Sequence, residues 1–173
     1  LKAILPDAKT VAVLYCSSES NSAAQYALAK AQIEALGMTC IEKTISAIDE
    51  AKSAVESLAG VADAIYVPTD NTISDSMTSV SAAANAVKLP LIVGEAGMVV
   101  NGALATYGID YYRLGKQTAE MAVKLLKADK PLDEIAKMAV VYQTDCVYAV
   151  NTDTAAALGI TVPEEILSKA TIY

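Results

Sequence analysis

Short apolar runs alternate with helix-patterned stretches along most of this chain. That alternation constrains the fold more than any other feature. Residues 11–15, 39–45, 64–67 and 91–93 read as strands, the second from its alternation and the others from short apolar runs of buried length. Between the first two, Ala24, Leu28, Ala31 and Ala35 mark a helix that Gly37 stops. Ala51, Val55 and Leu58 mark a second, ended by Gly60, with Asp49 and Glu50 favouring its amino end. Ile73, Met77, Val80, Ala84 and Val87 step by three and four along one face of a third. Strand–helix alternation with short connections predicts an α/β fold, a three-layer sandwich whose mainly parallel sheet is covered on both faces. Further on, 103–107 reads as a fifth strand, and Asp110 caps a helix over 111–128 whose later turns carry Lys124 and Lys127. Residues 138–142 and 147–150 read as a hairpin or paired strands. Asn151 caps a short helix ended by Gly159, and Pro163 opens a last turn.

The stretch Val67-Pro68-Thr69-Asp70-Asn71-Thr72-Ile73 organises the rest. It lies where a strand's carboxyl end turns into a helix, the rim at which small ligands bind in open parallel sheets. Thr72 followed by Asp75 resembles a capping box, so a plain helix cap is one reading. The other places Asp70 and Asn71 at the cleft, and the two are compatible. Two more loops reach the same rim: 17–22, rich in hydroxyls at a helix start, and Gly94-Glu95-Ala96-Gly97. The first offers free amides and hydroxyls for a carboxylate, or is an ordinary capping turn. Glu95 is either a solvated loop carboxylate or a partner for an ammonium group.

Several chemistries are excluded. The chain has no histidine, which removes Ser-His-Asp and Cys-His nucleophile arrangements and the commonest zinc ligand. Cys16, Cys40 and Cys146 lie far apart with no C-x-x-C spacing, and Cys16 and Cys40 read as small core residues. No dinucleotide fingerprint or Walker lysine motif occurs. A net charge of −7 argues against nucleic acid as a partner. No cofactor, metal site or catalytic residue is expected.

Tyr66-Val-Pro-Thr-Asp-Asn-Thr72, Ser20-Asn-Ser22, Tyr107-Gly-Ile-Asp-Tyr-Tyr-Arg-Leu-Gly115 and Ala157-Leu-Gly-Ile-Thr-Val-Pro-Glu-Glu165 occur in that combination and order in a known family. Over essentially its whole length the chain resembles the ABC transporter substrate-binding proteins of the tryptophan/tyrosine type. The resemblance implies a flavodoxin-like lobe of a type I periplasmic-binding-protein fold. Two such lobes close on a small ligand, often an aromatic amino acid, outside the cytoplasm, and deliver it to a membrane permease. It implies a binding protein, free in the periplasm or anchored as a lipoprotein, and not an enzyme. Asn21 and Ser22 would hold the ligand carboxylate, Asp70 the ammonium with Asn71 orienting it, and Asp110 and Glu95 are further ammonium candidates. The family begins with another α/β lobe, absent from these residues. The expected division is therefore a ligand-binding lobe over 1–108 and 137–173, with a crossing segment over 109–136 that packs on the other lobe. Alone, the chain would self-associate through that helix. The alternative is a stand-alone flavodoxin-like sensor or regulatory domain that binds a small ligand or a protein partner.

Overall fold

The structure is a computed structural model that describes residues 1–173. It divides into two units, Leu1–Gly108 with Val147–Tyr173, and Ile109–Cys146.

The first unit is built on a seven-stranded sheet in the order β2-β1-β3-β4-β5-β6-β7. The strands are β1 (Thr10–Cys16), β2 (Thr39–Ile45), β3 (Ala64–Val67), β4 (Leu91–Glu95), β5 (Ala105–Ile109), β6 (Val147–Val150) and β7 (Ala170–Ile172). β1 pairs in parallel with both β2 and β3, and β3 with β4. β6 runs antiparallel to β5 and parallel to β7. Apolar residues on both faces of each inner strand let helices cover the sheet on both sides, as the alternation predicts. Ala12, Leu14, Cys16, Ile65, Val67, Leu91 and Val93 face one layer, packed against α2 (Ala51–Glu56), α4 (Met77–Ala86) and α5 (Ala96–Val100). Val11, Val13 and Tyr15 face the other, with Ile33 of α1 (Ser20–Ala35). Ile92, Leu104 and Val150 extend that side toward Ala155 of α8 (Thr152–Leu158).

Four local expectations are corrected. The helix expected over 73–87 is two, α3 (Asn71–Ser74) and α4, with Asp75 and Ser76 between them. The buried face of α1 is not the expected one. Ala24, Leu28, Ala31 and Ala35 are exposed, whereas Ile33 is buried and Tyr26 and Ala29 are partly so. Alanine fits either face of a helix, and the bulkier side chains decide which face is buried. The segment 94–97 is no loop: β4 runs through Glu95 and α5 starts at Ala96. Residues 138–142 form no strand, because β6, their supposed hairpin partner, already pairs with β5 on one edge and β7 on the other.

The second unit holds α6 (Tyr111–Leu126) and α7 (Pro131–Ile135). Asp110 caps α6 as expected, accepting from the N–H groups of Tyr112 at 2.9 Å and Arg113 at 3.1 Å. No residue of α6 is fully buried. Leu114, Met121 and Leu125 form a half-buried stripe along one face.

Candidate functional site

Two loops at the carboxyl rim of the sheet grip one another through buried and half-buried carboxylates. Asp70 begins α3 but belongs to the β3 loop. Its Oδ1 accepts the N–H of Ile73 at 3.0 Å, which makes it the helix cap. Its Oδ2 accepts the N–H of Cys16 at 2.8 Å and the hydroxyl of Ser22 at 2.8 Å, both from the β1 side. Thr72, the expected cap, plays another part. Its hydroxyl donates to Glu19, in the loop after β1, at 2.8 Å. Glu19 also accepts the N–H of Thr72 at 2.7 Å and that of Asn71 at 3.0 Å. Burial by itself would raise the Glu19 carboxyl; the donors of Thr72 and Asn71 outweigh it and hold the group below the usual carboxylate range. Asn21 and Gln25 complete the lattice. The Asn21 amide donates to the Thr69 carbonyl at 2.9 Å, and Gln25 Oε1 accepts from the Thr69 N–H at 3.1 Å and hydroxyl at 2.9 Å.

This geometry sorts the six candidate residues. Asn21 and Asn71 are exposed on the rim. Ser22 and Asp70, 0% and 1% exposed, lie beneath it, bonded to each other. Asp70 is not open at the rim: its burial is tolerated because both oxygens accept hydrogen bonds. Glu95, 8% exposed, is neither a solvated loop carboxylate nor an open one, because it caps α5 through the N–H groups of Gly97 at 2.6 Å and Met98 at 2.8 Å. Asp110 lies in the second unit, where it caps α6 and pairs with Arg113, Nε to Oδ2 3.3 Å. Arg113 also bonds Asp145. Glu19 went unread in the sequence. The one signal for it was a carboxylate inside a hydroxyl-rich loop, which is uninformative without the neighbouring strand.

The rim is tight. A Cβ on Gly94 would lie 2.7 Å from the Thr69 backbone nitrogen, and one on Gly108 would strike the Gly94 carbonyl oxygen. Only glycine lets the ends of β3, β4 and β5 approach so closely. This gives a physical reason for the glycine after Tyr107. Away from the rim, a cavity of about 440 Å3 opens between the amino-terminal turn and the other side of the sheet, lined by Leu1, Ile4, Ile92, Tyr107, Tyr148 and Ile166 among others. None of the rim candidates lines it.

The family model described as "ABC transporter substrate binding protein" matches residues 1–172. The chain belongs to that family. It is 37% identical over 155 residues to a tyrosine-binding protein of Clostridioides difficile (strain R20291), a match covering 87% of this chain and 45% of that relative. Among solved structures, it superposes with a TM-score of 0.87 and 36% identity on an ABC domain from Streptococcus pneumonia in complex with L-Trp, covering 99% of this chain and 58% of that one. It also matches the ligand-free, open structure of a substrate-binding protein with adhesive properties from Clostridium difficile, with a TM-score of 0.78 and 39% identity, covering 100% of this chain and 57% of that one. The chain thus spans about half the length of these relatives. No helix is long and apolar enough to cross a membrane.

Proposed function

We propose that this chain is the ligand-gripping lobe of the extracytoplasmic binding component of an ABC importer. It takes an amino acid with an aromatic side chain against the rim of β1 and β3, closes on it with a second lobe, and presents it to a permease. It binds without catalysis. Support comes from the relatives that are named for tyrosine or hold L-Trp. The observation that carries the reading is the braced rim, which keeps Asn21 and Asn71 exposed at the carboxyl ends of parallel strands.

The ligand carboxylate lies against the start of α1, beside Ser20 and Asn21, where no side chain caps the helix and amide hydrogens are open to an anion. The ammonium group meets the side-chain carbonyl of Asn71, whose amide nitrogen is turned 3.4 Å from Glu19. Ser22 and Asp70 act from below, fixing the loop that carries Asn21.

The test is thermal shift of the full protein against the standard amino acids, because a ligand that binds only the native state raises its melting temperature. Tyrosine or tryptophan should raise it. A flat response to all of them ends the proposal. It would favour the alternative, a regulatory domain with a protein partner.

A further inference from the structure

The three N–H groups that open α3 all point into protein carboxylates. Those of Asn71 and Thr72 meet Glu19, and that of Ile73 meets Asp70. The two acids are anchored crosswise. Glu19 stands in the β1 loop and caps the helix of the β3 loop. Asp70 stands in the β3 loop and accepts from Cys16 and Ser22 on the β1 side. We infer that Glu19 is a positioning residue: it latches the two rim loops into one preformed surface that carries Asn21 and Asn71.

The inference rests on the proposed ligand rim and says what holds its exposed asparagines in place. Glu19 is itself the residue before α1, so one side chain ties the start of that helix to the start of α3. Glu19 touches no ligand atom in this arrangement. It acts through Asn71, whose backbone and side-chain nitrogens both face its Oε2, at 3.0 and 3.4 Å. A latch made before binding also lowers the ordering cost when the ligand arrives.

The experiment uses the full protein and three variants: Glu19→Gln, Glu19→Ala and, as a control on the same sheet, Glu42→Ala. Affinity for tyrosine and tryptophan is read by calorimetry, and exchange at the Asn71 and Thr72 amides by hydrogen exchange. Both Glu19 variants should weaken binding about tenfold and speed exchange at those two amides, with the control unchanged. Acetate supplies the readout that a merely structural role would not move. At high concentration it should enter the vacated place in Glu19→Ala, slow the two amides and recover affinity, and do neither in the wild type. Glu19→Gln keeps the side chain's shape, so the latch stays testable if the alanine variant fails to fold. Wild-type exchange at both amides in Glu19→Gln, or undiminished affinity in either variant, overturns the inference. A wild-type protein that binds neither amino acid refutes the ligand reading instead, and the exchange and acetate arms still decide the latch.

Discussion

Asp70 and Glu19 show what a carboxylate does when it is buried beside backbone donors rather than offered to a ligand. Replacing Asp70 with alanine leaves the Cys16 N–H, the Ser22 hydroxyl and the Ile73 N–H without their acceptor. Each buried group left unsatisfied costs about 1–3 kcal/mol, so Asp70→Ala should lower stability by at least about 3 kcal/mol, the sum of three losses at the low end. Chemical denaturation checks it; an unchanged midpoint would mean that water or the loop replaces the carboxylate. Acid should act through the same chemistry. Glu19 and Asp63 are both held below the usual carboxylate range. For Asp63 the chief causes are the N–H groups of Lys9 and Thr10. A carboxyl with a depressed folded-state pKa adds stability above its unfolded pKa, and loses that contribution as pH falls through the folded value. Stability should therefore fall on acidification below the ordinary carboxylate range, and Glu19→Gln together with Asp63→Asn should flatten the decline. Equal pH slopes for the variant and wild type, in denaturation curves taken across that range, would contradict this.

Elements were legible in the sequence wherever period and punctuation agreed. β1, β3 and β4 announce themselves by apolar content, β2 by its alternation, α8 by Asn151 and Gly159, and α6 by Asp110. The five-residue α5 and the three-residue β7 were not legible, because neither is long enough to show a period. The rim could be located, since it follows from strand direction alone. Which rim carboxylates are open could not, since that depends on which loop reaches which helix across more than fifty residues. Glu19 reaching Thr72 is such a pair. Gly108 is an intermediate case, visible as part of a motif but explained by the Gly94 carbonyl lying against it. Its substitution is an element-scale test. Gly108→Ala must separate β4 from β5, because the nearest obstructing atom, the Gly94 carbonyl oxygen, is backbone and cannot rotate away. Overpacking of this kind costs about 1–3 kcal/mol. Thermal denaturation should show the loss; a melting temperature equal to wild type would show that the two strand ends can part freely.

At the scale of the whole molecule, the two units differ in how they treat apolar side chains. The sheet unit buries Leu14, Ile65, Val67, Leu91 and Leu104 almost completely. In the 109–146 unit, α6 has no buried residue, while Tyr112, Leu126, Leu132, Val140 and Tyr142 are exposed. Beside its half-buried Leu114, Met121 and Leu125 stripe, α6 leaves Val123 and Leu126 exposed, and these are the apolar side chains with a use for a partner. Contiguous apolar surface of this kind marks interaction sites. Under the two-lobe reading, its partner is the other lobe. The isolated 173-residue chain is then expected to self-associate, or to exchange α6 between copies, as its concentration rises. Burying one large aliphatic side chain is worth about 1.5–3 kcal/mol, so covering Leu126 and its neighbours favours association by several such steps before the entropy of association opposes it. Leu126→Lys together with Val123→Lys should weaken the association, because both residues are exposed and lysine heads must stay in water. Light scattering across a concentration series decides it. A chain that stays monomeric at hundreds of micromolar, with the α6 amides protected from exchange, would show that the helix satisfies its apolar stripe within its own unit and needs no second lobe.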